Sequence, residues 1–276
     1  MKKLLSCILL IALIFSVFSL PALAEEAGGT GEWVFDLPES EAETLLAETE
    51  PTAPFVPESM DKTIFGSDDR ITVSNPAQYP YSAICYMKIK KKCGCSSTGT
   101  GFMASQDNTV FTAAHCVVCA DHGEWAEELT FYFGYKNDRN YLYKYNGKWY
   151  AYAGNLYSGK QYTTDYDYAV IKLYDDVCQK TGSFGVHWNP SDSLINSTYV
   201  YSAGYRDGQL RYDQGFISPN GANHVKYTLD TQPGNSGGPI FTSDYYAIGI
   251  NIAQNNSYNT GYRITSDVKY AYDYVK

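Results

Sequence analysis

The sequence predicts an all-β protein, a sandwich or barrel of many short strands followed by one late helix. Three observations lead there. Strand-like apolar runs recur between turn signals along residues 63–276. No long segment keeps a 3.6-residue apolar period until the C-terminus. Tyrosine and glycine are abundant, 27 and 23 of 276 residues, which suits pleated surfaces and tight turns.

In chain order, Ala83-Ile84-Cys85-Tyr86-Met87-Lys88-Ile89-Lys90 alternates in part and reads as a strand. Thr130-Phe131-Tyr132-Phe133, Trp149-Tyr150-Ala151-Tyr152, Ser197-Thr198-Tyr199-Val200-Tyr201 and Ala247-Ile248-Gly249-Ile250-Asn251-Ile252 read likewise. Asn146-Gly147, between Tyr145 and Lys148, is a hairpin-turn signal. Near the end, Ser266-Asp267 stands where it would cap a helix running through Val268, Ala271, Tyr272 and Val275. The tyrosines from 132 to 168 are expected to pack on strand surfaces rather than form a binding platform.

The first 62 residues differ in kind. Met1-Lys2-Lys3 is basic, Leu4 to Leu20 is mostly apolar, and Ala22-Leu23-Ala24 supplies small cleavage-site residues. Residues 1–24 therefore read as a signal peptide and the chain as secreted. An uncleaved anchor is the competing reading, because the apolar stretch nears the shortest membrane span. Residues 25–62 hold eleven acidic residues, one basic residue and four prolines, at 38, 51, 54 and 57. Such a segment buries little apolar surface and is expected to be disordered or loosely structured alone. It reads as an acidic propeptide, with a solvated linker as the alternative.

The formal net charge is −9, yet residues 63–276 carry eighteen basic and nineteen acidic side chains. The acidity thus belongs to the leader. It gives no ground for a surface that takes basic partners, and neither nucleic acid nor stable membrane association is expected. The 214 residues after Lys62 suffice for one or two β domains with real cores.

Those residues are organised around Gly234-Asn235-Ser236-Gly237-Gly238-Pro239. The glycines allow a tight turn and leave the N–H groups of Gly234 and Ser236 free to converge on one spot, as an oxyanion requires. Alone, the stretch is equally an ordinary loop. A serine nucleophile needs a base, and the base needs an orienting carboxylate. Of the four histidines, His115 lies among small residues in Thr112-Ala113-Ala114-His115-Cys116, just after Val110-Phe111. His122, His187 and His224 read as packed or hydrogen-bonded surface residues. Asp167 opens the β-prone run Asp167-Tyr168-Ala169-Val170-Ile171-Lys172-Leu173. Asp165 is the rival orienter, but Asp167 directly precedes the apolar run. His, then Asp, then Ser is the chymotrypsin order, not that of subtilisin or the α/β-hydrolases.

Further pieces are Phe65-Gly66-Ser67-Asp68-Asp69-Arg70, Tyr79-Pro80-Tyr81, Asp230-Thr231 and Ser257-Tyr258-Asn259-Thr260-Gly261-Tyr262-Arg263-Ile264-Thr265. On these motifs together the chain resembles the V8-like, or glutamyl endopeptidase, group of bacterial trypsin-like serine proteases. The resemblance spans most of residues 63–276. It implies two six-stranded antiparallel β-barrels, about 63–176 and 177–276, with the helix in the second part and the active site between them. It implies a monomeric serine endopeptidase acting on proteins or peptides, with no cofactor and no metal. Ser236 would attack the peptide carbonyl, His115 would carry the proton, Asp167 would hold the imidazole, and Gly234 and Ser236 would bind the oxyanion. Activation is expected after Lys62, with Thr63 as the new N-terminus.

Two departures from the resembled group matter. Animal relatives carry Asp before the nucleophile and pair it with the freed N-terminus. Here Asn235 cannot form that ion pair, so activation must work by another route. In glutamyl endopeptidases a histidine on the strand after the nucleophile binds the acidic P1 side chain; the matching residue here is Asn251. With Thr231 as a pocket hydroxyl and no positive charge, glutamate selectivity should weaken. Asp230 invites a guess of Arg or Lys preference, but a structural role is favoured for it, and the P1 residue stays open.

Cysteines 85, 93, 95, 116, 119 and 178 follow the leader, and Cys7 lies within it. An even count in an exported chain favours disulfides. Cys93-Gly94-Cys95 and Cys116-Val117-Val118-Cys119 could instead supply zinc thiolates, a reading set lower because Cys116 adjoins the proposed base. In the resembled family a half-cystine after the base bridges back to the preceding strand. Here Cys-Gly-Cys lies upstream of Gly99-Thr100-Gly101-Phe102, where a relative would have one cysteine closer in, so the pairing stays open. No Asp/Asn-rich loop suggests calcium. The rival functions are a non-catalytic binding protein on a protease fold and a zinc-stabilised secreted binding module. Fluorophosphonate labelling and chelator sensitivity separate them from a serine protease.

Overall fold

β-Branched and aromatic runs that bury one face must pair and stack, and this chain does so as two large, mainly antiparallel sheets, with β-strand pairing also in the short ribbon of residues 157–158 and 161–162. The computed structural model describes residues 29–34, 64–154, 157–158, 161–162, 164–254 and 257–276. The expected signal peptide, most of the expected propeptide, the Lys62-Thr63 junction and Cys7 lie outside the described residues.

The strands are β1 (Gly29–Val34), β2 (Ile71–Thr72), β3 (Ile84–Lys91), β4 (Ser96–Ala104), β5 (Thr109–Thr112), β6 (Ala126–Phe133) and β7 (Tyr143–Tyr145). They continue as β8 (Trp149–Ala153), β9 (Tyr157–Ser158), β10 (Gln161–Tyr162), β11 (Ala169–Leu173), β12 (Gly185–Val186) and β13 (Tyr199–Arg206). The last six are β14 (Gln209–Phe216), β15 (Ser218–Asn220), β16 (His224–Tyr227), β17 (Pro239–Thr242), β18 (Tyr246–Gln254) and β19 (Asn259–Arg263). The α-helices are α1 (Ala114–Val117), α2 (Cys178–Thr181), α3 (Asp192–Ser197) and α4 (Ser266–Val275). Each strand expected from the sequence appears, with β13 beginning two residues after the expected Ser197.

The first sheet runs β1-β8-β11-β5-β4-β3-β6-β7, and β1 also pairs with β6, which closes a barrel. The second runs β15-β16-β19-β18-β17-β13-β14-β2, with β12 against β18. The fold class is the expected one, with a different strand count in the first ring. Six strands from after residue 63 are joined there by a seventh from the acidic segment that precedes them. β1 lies antiparallel to β6, with Gly29 opposite Leu129, and parallel to β8, with Gly31 opposite Trp149. Its Trp33 ring sits 5.2 Å from Trp125 and 5.1 Å from Trp149, and the Trp149 indole donates to the Gly29 carbonyl at 2.7 Å. A stretch that cannot build a core of its own takes its backbone partners from two open edges.

This insertion also changes the turn at Asn146-Gly147. It connects β7 to β8 without an expected hairpin ladder, because β7 pairs with β6 while β8 pairs with β1 and β11. The Gly29 backbone passes so close that an added Cβ would lie 1.9 Å from the Gly147 carbonyl. Helix α4 buries Val268, Ala271, Tyr272 and Val275 as expected, but its N-cap is Thr265, so Ser266 and Asp267 lie in its first turn. It packs on β8 and β11 of the first barrel rather than on the second. β2 makes the reciprocal crossing, pairing with β14.

Candidate active site

Register, more than proximity in sequence, assembles the site. β5 and β11 pair with Thr112 opposite Ala169, so the chain leaving β5 meets the chain entering β11. Ala113 and Ala114 are fully buried and small, which leaves space beside them for the His115 imidazole on α1. Asp167, fully buried just before β11, accepts from His115 Nδ1 at 2.7 Å and from the His115 backbone N–H at 3.0 Å. A carboxylate only accepts, so Nδ1 carries the proton and Nε2 keeps its lone pair. Burial works against the imidazolium, but the Asp167 carboxylate and the adjacent Cys116 sulfur together outweigh it and raise the His115 pKa well above its ordinary value. Asp165 is exposed in the short 3-10 turn Thr164–Tyr166. Of the two acids, Asp167 is the one that lies against the imidazole.

Ser236 arrives from the second barrel, between β16 and β17. Its carbonyl accepts from the Thr100 N–H at 3.0 Å and from the Cys116 thiol at 3.4 Å, and that same sulfur lies 3.8 Å from His115 Nε2. Thr100 is the joint between the barrels. Its hydroxyl donates to the Gly234 carbonyl at 2.7 Å and accepts from the Tyr205 N–H at 2.8 Å. Gly237 has φ +84°, and a Cβ there would fall 2.0 Å from the Thr100 carbonyl, so only glycine fits. Gly234 has φ +100°. Around them, Asn235 N–H donates to Gln232 and Gly237 N–H to Asn251. Among the described residues, the N–H groups of Gly234 and Ser236 have no backbone acceptor.

Asn235 holds this loop in a way sequence reasoning missed. Its Oδ1 accepts from the Gln232 N–H at 2.7 Å and from Arg70 Nη1 at 3.1 Å. The Arg70 side chain is 2% exposed and is paired with Asp68, Nη2 to Oδ2 at 2.8 Å and Nε to Oδ1 at 2.9 Å. The Arg70 guanidinium in turn holds the Asp68 carboxyl at about 2. A cation therefore does face residue 235, but it comes from an internal arginine. The signal was within Phe65–Arg70, a stretch that showed its sequence but not its target.

Asn251 is buried beside the Ser236 loop, its backbone bonded to Gly237 and Gly238, and among the described residues its Nδ2 has no acceptor. Thr231 is buried near the loop's start. Asp230 is turned elsewhere: its carboxylate accepts from the Phe65 N–H at 2.7 Å and the Asp69 N–H at 3.4 Å, and burial raises its pKa. It anchors the segment that carries Arg70.

His187 packs on the Tyr246 ring, and His224 Nε2 lies 3.0 Å from the Thr164 carbonyl, both in the packed roles expected. His122 departs from that expectation: it joins Cys93, Cys95 and Cys119, all four ligand atoms lying within 4.8 Å of one another. Cys116 is not part of the group. None of the six described cysteines is bridged, against the expectation of disulfides. Opposite Cys116 stands Gly99, where an added Cβ would lie 3.1 Å from the Cys116 sulfur. Gly99 itself offers no thiol there.

Residues 99–250 match the trypsin-like peptidase domain family. The chain is 33% identical over 219 residues to an extracellular metalloprotease of Bacillus subtilis, covering 75% of this chain and 67% of that protein. It is 32% identical over 225 residues to the glutamyl endopeptidase of Bacillus licheniformis, with the same coverage of 75% and 67%. Among solved structures, a Glu endopeptidase in complex with MPD superposes with a TM-score of 0.64 at 24% identity, over 76% of this chain and 100% of that one. The protease Anisep of Arthrobacter nicotinovorans shares the fold, with a TM-score of 0.58 at 21% identity over 72% and 97%. The chain belongs to the trypsin-like peptidase family, in its V8-like glutamyl endopeptidase group, and is a serine endopeptidase.

Proposed function

We propose that the chain is a secreted zymogen whose mature form hydrolyses peptide bonds through an acyl-enzyme on Ser236. His115 Nε2 takes the Ser236 proton as Oγ attacks the peptide carbonyl, then passes it to the leaving amine. Asp167 keeps Nδ1 protonated and stabilises the imidazolium. The N–H groups of Gly234 and Ser236 receive the oxyanion, where losing one donor typically costs ~10²–10³ in rate. Water then repeats the sequence on the ester. The observation that carries this reading is the pair of bonds His115 donates to the buried Asp167 carboxylate, beside a serine loop in which the Gly234 and Ser236 N–H groups have no backbone acceptor among the described residues. The test is fluorophosphonate labelling and casein digestion by the processed enzyme. Both should vanish in Ser236→Ala; casein digestion that survives would refute the mechanism.

The P1 pocket is formed by Thr231 and Asn251. The unpartnered Asn251 amide favours a P1 side chain that accepts a hydrogen bond, and with no cation there glutamate is selected less strictly than by a histidine pocket. The Asp230 carboxylate is occupied by backbone N–H groups, which argues against basic P1 residues. Cleavage of a mixed peptide library should show acceptor side chains at P1, and Asn251→His should narrow it toward glutamate. Strict glutamate cleavage by the unaltered enzyme would overturn the Asn251 argument.

A further inference from the structure

We propose that Cys93, Cys95, Cys119 and His122 form a tetrahedral zinc site that fastens the segment leaving the catalytic histidine to the β3–β4 hairpin. The four donors come from two tight turns. Cys93 and Cys95 flank Gly94, which has φ +85°, in the turn closed by the Gly94 N–H to Lys91 carbonyl bond. Cys119 and His122 lie in a second turn, closed by the Gly123 N–H to Cys119 carbonyl and Cys119 N–H to Glu124 carbonyl bonds. The Lys92 N–H to Trp125 carbonyl bond, 3.0 Å, ties the two turns together. Both are backbone-fixed before any ion arrives.

The distances suit a metal. His122 Nδ1 lies 3.3 Å from Cys119 Sγ and 3.7 Å from Cys95 Sγ. Zinc bonds of about 2.3 Å to sulfur and about 2.0–2.1 Å to nitrogen at tetrahedral angles place such atoms roughly 3.5 Å apart. Three thiolates and an imidazole select zinc over calcium or magnesium. A disulfide would use two of these three thiols and leave the third and the imidazole unused; one ion satisfies all four. Cys119 follows α1 by two residues, and α1 carries His115. Opposite Cys116, Gly99 provides no thiol to hold that segment, so a metal at Cys119 would be the clamp this chain has in its place.

The site is independent of proteolysis, so its test uses the full chain with Ser236→Ala, which removes self-digestion. Protein produced with zinc in the medium should contain one zinc per chain by plasma mass spectrometry, released in step with thiol modification by a mercurial. Cobalt replacement should give the visible bands of tetrahedral thiolate coordination. Cys95→Ser and His122→Ala should each lower zinc affinity at least about tenfold. His122 is exposed, so its variant keeps the question answerable if a cysteine variant fails to fold. A folded chain without zinc, with peptide mapping that finds a disulfide among Cys93, Cys95 and Cys119, overturns the proposal. So does zinc bound with undiminished affinity in both variants.

Discussion

Replacing Arg70 tests how the loop around Ser236, proposed to bind the oxyanion, is held. Arg70→Met keeps the aliphatic stem and removes only the guanidinium that reaches Asn235 Oδ1 at 3.1 Å. A hydrogen bond to a charged donor is worth roughly 1.5–3 kcal/mol. Asn235 keeps its bond to the Gln232 N–H, and Asp68, with 31% of its side chain exposed, can rehydrate. The lower part of that range is therefore expected, about 1.5–2 kcal/mol, or roughly 10–30-fold in kcat/KM. The fluorophosphonate reacts through the same hole, so its labelling rate should fall in parallel while KM stays near its starting value. The effect has a pH signature in stability. The Asp68 pKa is lowered to about 2 in the fold, so its pairing stabilises above the unfolded value near about 3.9 and is lost as pH falls toward 2. The stability difference between the two proteins should accordingly narrow below about pH 4 and close as pH falls through about 2. A folded Arg70→Met enzyme with kcat/KM and labelling within twofold of the parent would refute the reasoning.

Asp167→Asn should lower kcat by ~10³–10⁴ by leaving the imidazole in the wrong tautomer, whereas Asp165→Asn should change it less than about twofold; steady-state peptide hydrolysis measures both. With His115 as the proposed base, its raised pKa should set the acid limb of kcat/KM in the free enzyme, with a midpoint above the ordinary value of about 6.5. The sign for stability is the opposite of Asp68: the contribution is full below the unfolded pKa and lost as pH rises through the folded one. Rate profiles of the parent against pH check the limb, and a midpoint below about 6 would contradict it. Trp33→Ala should destabilise the unprocessed chain by about 2 kcal/mol, since the ring is half-buried between Trp125 and Trp149. Thermal unfolding of the Ser236→Ala precursor should drop by roughly 4–8 °C with this change, and an unaltered transition would show that β1 does not close the barrel.

What the sequence determined by itself is what neighbouring residues decide. Gly234 and Gly237 can take positive φ angles because they carry no Cβ, and a tight turn built from such residues shows in the chain. Asp167 was distinguishable from Asp165 because the acid next to an apolar run is carried into the core with it. The buried face of α4 follows from spacing alone. Tertiary structure decided everything that depends on which edge or side chain is left over once the strands have paired. The acidic composition of residues 25–62 describes what that segment cannot do alone, not that β6 and β8 leave an opening of one strand's width. Arg70 meets Asn235 across 165 residues, and His122 meets Cys95 across 27, through turns fixed by unrelated hydrogen bonds. Such meetings are products of register and crossing chains, so no local pattern could announce them.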